Sequence, residues 1–321
     1  LQEWQRDPAT LPRTPPPAGG VIMDELEALT VPTPRARIFA RRTGDGPPLL
    51  LLHGFPETHL MWRELVPLLS TRFTLVCADL PGYGRSPCDC AGEAPQSKRT
   101  MALQLIEMMR VLGYPRFHVA GHDRGGRVAY RMALDHPGQV ERPAVLDILP
   151  TSVTWDLAGA EFALAYWPWS FLAQPAPLPE RALVAAAQAV VDDALGRWGT
   201  PAGVFPAHVR AAYVRALQDE ARAHAICEDY RAAAGVDREH DAADRAAGRR
   251  IRCPVLAMWS ARGPLERWSA QWGGPLGAWR EWADNVQGAA VDAGHFFPEE
   301  RPREVGQALA AFFAPAAQRS T

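Results

Sequence analysis

The stretch Val119-Ala120-Gly121-His122-Asp123-Arg124-Gly125-Gly126-Arg127 decides how this chain folds. The apolar residues Phe117 to Ala120 predict a buried strand. Gly121 and Gly125 leave room for that strand to reverse sharply into a helix, with Asp123 at the tip of the turn. The spacing small-x-nucleophile-x-small is that of a nucleophile elbow, which thrusts its tip side chain above a parallel sheet. Such tips are usually Ser; here the tip is a carboxylate. A carboxylate is already anionic at pH 7, needs no base to activate it, and can attack a saturated carbon to leave an ester.

Outward from the elbow, strand and helix alternate. Leu49–Leu52, Thr74–Ala78, Ala144–Ile148, Val255–Trp259 and Ala289–Val291 are short apolar runs bounded by turn residues, the mark of buried parallel strands. Arg35–Arg41 alternates weakly and predicts an early antiparallel strand. Met101–Leu112 has helical spacing, the elbow helix should reach about Leu134 before His136-Pro137-Gly138, and Ala308–Phe313 closes the chain. The pattern breaks between 151 and 247, where aromatics, prolines and Ala-rich stretches offer no buried strand. The expected class is α/β: a mostly parallel central sheet flanked by helices, formed by residues 23–150 and 248–321. An all-helical lid, 151–247, is expected over the strands' carboxyl ends, where open α/β sheets bind ligands. Residues 1–22, with Pro15-Pro16-Pro17 and Gly19-Gly20, lack periodicity and read as a disordered leader or expression remnant before Met23.

Composition narrows the function. The 321 residues are 47% apolar with a net charge of −2, ordinary for a globular protein. Of 34 basic residues only one, Lys98, is lysine, and no basic stripe argues for nucleic acid. No apolar run approaches the roughly 20 residues of a membrane span. Five scattered cysteines do not make a secreted disulfide scaffold, and Cys88-Asp89-Cys90 lacks a second ligand pair for a metal. The expectation is a cytoplasmic protein with no metal and no cofactor; its assembly is open, a homodimer included.

An Asp nucleophile needs a base to activate water and a group to orient that base. His295 follows Gly294 just past the last predicted strand and is the expected base. After Val255–Trp259 the chain reads Ser260-Ala261-Arg262-Gly263-Pro264, with no carboxylate. Asp147, in an apolar strand where a lone charge would be costly, is the expected partner of His295. His53-Gly54-Phe55-Pro56 follows an early strand, and the backbone N–H groups of Phe55 and Arg124 are expected to form an oxyanion hole. Arg124 and Arg127, three apart on one helix face, could clamp a substrate carboxylate; the bland reading is salt bridges to lid acids.

The elbow, His-Gly-Phe-Pro at 53–56, Met-Ala-Leu-Asp-His-Pro at 132–137, Leu-Asp-Ile-Leu-Pro-Thr at 146–151, Cys-Glu-Asp-Tyr-Arg at 227–231 and Gly-His-Phe-Phe at 294–297 carry a resemblance. From about 35 to 315 the chain resembles the fluoroacetate (haloacetate) dehalogenases of the α/β-hydrolase fold. The resemblance implies Asp123 as nucleophile, His295 and Asp147 as the water-activating pair, Arg124 and Arg127 on the substrate carboxylate, and Trp169 and Tyr230 on the departing halide. It implies a small haloacid as the substrate. The family reads Tyr-Trp-His-Trp in the lid, whereas this chain reads Tyr166-Trp167-Pro168-Trp169, so Pro168 replaces a halide-site donor. One charge-assisted hydrogen bond is worth about 1.5–3 kcal/mol, or roughly 10–150-fold in rate. The expected preference is therefore chloro- or bromoacetate over fluoroacetate. Two rivals are an epoxide hydrolase, with the same Asp nucleophile and lid tyrosines as acids (Tyr166, Tyr213 and Tyr230 are available), and a non-catalytic small-carboxylate-binding protein.

Overall fold

A computed structural model describes residues 23–88 and 95–314. Eight strands form one sheet: β1 (Glu27–Pro32), β2 (Arg37–Thr43), β3 (Pro48–Leu52), β4 (Thr74–Ala78), β5 (Phe117–His122), β6 (Val140–Leu146), β7 (Val255–Ser260) and β8 (Val286–Val291). Their order is β1-β2-β4-β3-β5-β6-β7-β8. β2 pairs antiparallel with both β1 and β4, and every other pairing is parallel. The α/β class and the mostly parallel sheet are as expected.

Period-2 alternation lets each strand feed both faces. Leu50, Leu52, Val76, Ala78, Val119 and Val145 pack into one apolar cluster, with the helices Lys98–Val111 and Arg124–Asp135. Leu49, Leu51, Leu75, Cys77, Ala120 and Leu146 pack into the other, against the closing helix Pro302–Phe313. All five of the Pro48–Leu52 and Thr74–Ala78 pairs are in register. These two central strands are buried almost throughout, which is why their sequences are continuous apolar runs.

The edges depart from the sequence expectation. β1 had no counterpart there, and β8 begins three residues earlier than its apolar core at Ala289–Val291. Both strands alternate exposed and half-buried residues along most of their length, so they lack the apolar run that marks a buried strand. β6 ends at Leu146 rather than at Ile148, because Asp147 turns the chain with φ +55°.

Between β6 and β7 every named element is a helix, from Thr151–Asp156 to Val236–Ala246. This insertion contributes Trp169, Tyr213 and Tyr230 to the same apolar cluster that contains Leu52 and Phe55. No helix among the described residues is long and apolar enough to cross a membrane. The expected leader, residues 1–22, and Cys90 lie outside the described residues.

Candidate active site

The chain runs from β3 out to β4 and then back across to β5, so β3 and β5 flank the point where strand order reverses. Ligands collect at such crevices. The turns after both strands meet there. A Cβ on Gly121 would stand 2.3 Å from the Gly125 carbonyl oxygen, and one on Gly125 2.4 Å from that of Leu52, so only glycine permits the approach. Asp123 takes φ +46° and ψ −113°, outside the helical and strand regions, before the helix Arg124–Asp135 begins. A side chain in such a conformation costs about 1–3 kcal/mol, supplied by the surrounding packing. The Gly125 N–H donates to the His53 carbonyl at 2.9 Å and the Arg127 N–H to that of Asp123 at 3.2 Å, pinning the turn.

The Asp123 carboxylate accepts from the Phe55 N–H at 3.0 Å. Burial alone would raise its pKa, but His295, Arg124, His122 and Arg127 together hold it below the ordinary value of 3.8. The nucleophile candidate is thus kept anionic by its neighbours.

His295 sits four residues past β8, and its Nδ1 lies 2.5 Å from Asp147 Oδ2. Asp147 Oδ1 accepts from the Ser260 N–H at 2.8 Å. The position after β7 that lacks a carboxylate therefore serves Asp147 as a backbone donor. With Nδ1 engaged, the remaining ring nitrogen, Nε2, is left for a proton from water. Asp147 caps no helix: the next one starts at Thr151, with Pro150 before it.

Arg124 and Arg127 are both buried. The salt-bridge reading and the clamp reading each capture part of their arrangement. Arg124 Nε donates to Asp229 Oδ2 at 2.8 Å, and one terminal nitrogen, Nη2, donates to Oδ1 at 2.9 Å. Its other terminal nitrogen, Nη1, has no partner. Arg127 Nη1 donates to the Leu149 carbonyl at 2.9 Å, while its Nε has none. Each guanidinium thus keeps a buried N–H group unspent, which normally signals a ligand or water. The Arg124 guanidinium lies 4.1 Å from the centre of the Tyr230 ring, and that of Arg127 4.3 Å from the Trp169 ring. Those two rings meet edge to face at 6.2 Å. Pro168 lies in the first turn of the helix Trp167–Phe171, and Trp167 donates its indole N–H to Asp193 at 2.9 Å. The structure therefore gathers Asp123, His295, Asp147, Phe55, Arg124, Arg127, Trp169 and Tyr230 around one crevice.

A model of the alpha/beta hydrolase fold matches residues 47–302. A fluoroacetate dehalogenase from Burkholderia sp is 41% identical over 276 residues, 85% of this chain and 89% of that protein. This chain belongs to the haloacetate dehalogenase-like family of α/β-hydrolases. A soluble epoxide hydrolase from Corynebacterium sp. (strain C12) is also similar, at 32% identity over 85% of this chain and 92% of that one. Among solved structures, an alpha/beta hydrolase from Nostoc sp PCC 7120 superposes with a TM-score of 0.85 and 43% identity, covering 91% of this chain and 99% of its own. The protein is a hydrolase.

The hydrolase also holds groups that sequence reading assigned no role. Asp229 receives Arg124, the Lys98 ammonium, and the Tyr83 hydroxyl at 2.6 Å, all buried. Its only sequence signal was membership of the Cys-Glu-Asp-Tyr-Arg run. Beneath His295, the His122 Nε2–H donates to the His295 carbonyl at 2.9 Å, and its Nδ1 stands 3.3 Å from Glu57. Glu57 and Glu299 face each other, with Arg63 on Glu299. Burial foremost pushes Glu57 up to about 7, although Glu299 and Arg63 pull it down. His53 braces the loop. Its Nδ1–H donates to Gly54 and its Nε2 accepts from the Leu80 N–H, and burial lowers its pKa to about 4.

One group among the described residues, Glu180, His224 and Glu228, has its ligand atoms close enough to share a metal ion. It lies on the insertion, and Arg231 bridges both carboxylates at 2.8 and 2.6 Å.

Proposed function

We propose that this hydrolase converts haloacetates to glycolate and halide through an ester on Asp123. One observation carries the reading: a half-buried, anionic Asp123 lies within the electrostatic reach of both the Asp147–His295 pair and two guanidiniums with unspent N–H groups. An anionic substrate fits those N–H groups, which places the carbon next to its carboxylate over Asp123. Asp123 attacks that carbon as the carbon–halogen bond breaks, and the electron pair leaves with the halide. Trp169 and Tyr230 receive the departing halide. His295, held by Asp147, then takes a proton from water, and the hydroxide adds to the ester carbonyl. The developing oxyanion lies where Asp123 already accepts from the Phe55 N–H, with the Arg124 N–H as the second donor. Collapse releases glycolate and restores Asp123, and the proton passes from His295 to solvent.

Because Pro168 offers no donor, chloro- and bromoacetate are expected to turn over faster than fluoroacetate. A single turnover in heavy-oxygen water tests the covalent step. Glycolate from the first turnover should carry unlabelled enzyme oxygen, and full solvent label in that product refutes the ester. The second reading is epoxide hydrolysis by the same nucleophile. It is favoured by Tyr166, whose ring lies 6.4 Å from that of His295, together with Tyr230, since epoxide opening needs phenolic acids near the nucleophile. Two buried guanidiniums have no counter-charge on a neutral epoxide, which favours the haloacid. Comparing styrene oxide with chloroacetate as substrates separates the two.

A further inference from the structure

The chain has 34 basic residues and a single lysine, and that lysine is buried. Lys98 opens the helix Lys98–Val111 on the sheet side, yet its side chain reaches two acids of the helical insertion. Its ammonium contacts Asp229 Oδ1 and lies 3.6 Å from Asp237 Oδ2, and its backbone N–H donates to Asp237 Oδ1 at 2.9 Å. Asp229 is also the carboxylate that takes Arg124 by Nε and Nη2, and its carbonyl accepts from the same Nη2 at 3.0 Å. Lys98 and Arg124 therefore share one anion, and the unspent Arg124 nitrogen, Nη1, belongs to the shared guanidinium.

An arginine whose charge is wholly matched by one buried carboxylate offers a ligand a hydrogen bond but little net field. Burial foremost, and then Arg124, push the Lys98 pKa down, but two carboxylates, Asp229 and Asp237, lie against its nitrogen and favour the ammonium. As a second cation on Asp229, it leaves the guanidinium its positive field. Asp237, the second carboxylate near the Lys98 ammonium, opposes this. We propose that Lys98 is a positioning residue for an anionic substrate: through Asp229 it fixes the Arg124 fork and keeps that fork net positive. The inference deepens the haloacetate reading and rests on it.

The test uses the full-length Asp123→Asn protein, so that bound substrate is not consumed, with chloroacetate and neutral chloroacetamide titrated by calorimetry. Adding Lys98→Met should weaken chloroacetate about tenfold, as expected for removal of one buried charge partner, and chloroacetamide less than about twofold. Adding Asp237→Asn instead keeps the acceptor for the Lys98 N–H but removes the opposing charge. Chloroacetate should then bind as tightly as before or about two- to threefold tighter. Equal losses for both ligands on Lys98→Met, or weaker chloroacetate binding on Asp237→Asn, overturn the assignment and leave the haloacetate reading standing. Should the Lys98→Met protein not fold, the sign of the Asp237→Asn effect decides, because a merely structural tie predicts weaker binding. If the Asp123→Asn protein binds no chloroacetate at all, the haloacetate reading falls and takes this inference with it.

Discussion

Two walls of the crevice are built in different ways. The sheet wall carries Asp123, Asp147 and Phe55 on turns directly after parallel strands, and each is set by its own backbone. Asp123 and Asp147 both adopt positive φ, and the Phe55 N–H reaches Asp123 across the β3–β5 pair. The helical wall carries Trp169 on the helix Trp167–Phe171 and Asp229 and Tyr230 on the helix Glu220–Ala234, set by contacts with groups distant in sequence. Asp229 meets Lys98 and Arg124, 131 and 105 positions away. A wall placed by local turns tolerates little change, whereas one placed by long-range pairs can be retuned. On the proposed mechanism the sheet wall is accordingly where the bond-making groups lie, and the helical wall is where substrate choice is expected to reside.

Breaking the sheet wall should have the largest effect. Asp123→Asn removes the attacking carboxylate, and haloacetate turnover should fall by at least about 10³-fold in halide-release assays, with no ester on the protein by mass spectrometry. Asp147→Asn leaves His295 without its anionic partner. It should slow ester hydrolysis by about 10²–10⁴-fold, so that the adduct on Asp123 accumulates. If that variant stays active with no adduct, the pairing at 2.5 Å is not what orients the base.

The helical wall offers a gain instead of a loss. Pro168→His should raise fluoroacetate turnover relative to chloroacetate by roughly 10-fold or more, the worth of one charge-assisted hydrogen bond. Steady-state rates on both substrates check this; a uniform rise or fall would deny the insertion its part in halide choice.

The smallest effect is on stability and comes from behind the sheet wall. Glu57 has an ordinary pKa of 4.5 and about 7 in the folded protein, so the fold holds its proton more tightly than the unfolded chain does. Stability from this group is full below about pH 4.5 and is lost as pH rises towards about 7. Glu57→Gln stays neutral throughout, so its melting temperature relative to the parent should climb between about pH 5 and pH 8. The difference should be worth at most about 3 kcal/mol. A gap that does not change with pH would mean that Glu57 is ionised in the fold.

These expectations divide along the same line as what could be read from residues alone. The elbow was legible because two glycines and a polar tip leave one backbone solution, and because buried parallel strands are written as continuous apolar runs. β1 and most of β8 were not legible, since half-exposed edge strands carry no such run. Arg124 was read as a free clamp with salt bridging as its rival. It is in fact held on one side by Asp229 and open on the other, a division that helical spacing does not reveal.

By itself the amino-acid sequence determined the α/β class, the acid at the elbow and the histidine past the last strand, because each depends on local rules of burial and turning. Only the tertiary structure decided which acids meet Lys98 and Arg124, that Ser260 supports Asp147, and that Glu57 lies under His122. Those pairings join residues brought together by the crossing of chain segments, and a buried charge takes whichever partner the packing places beside it.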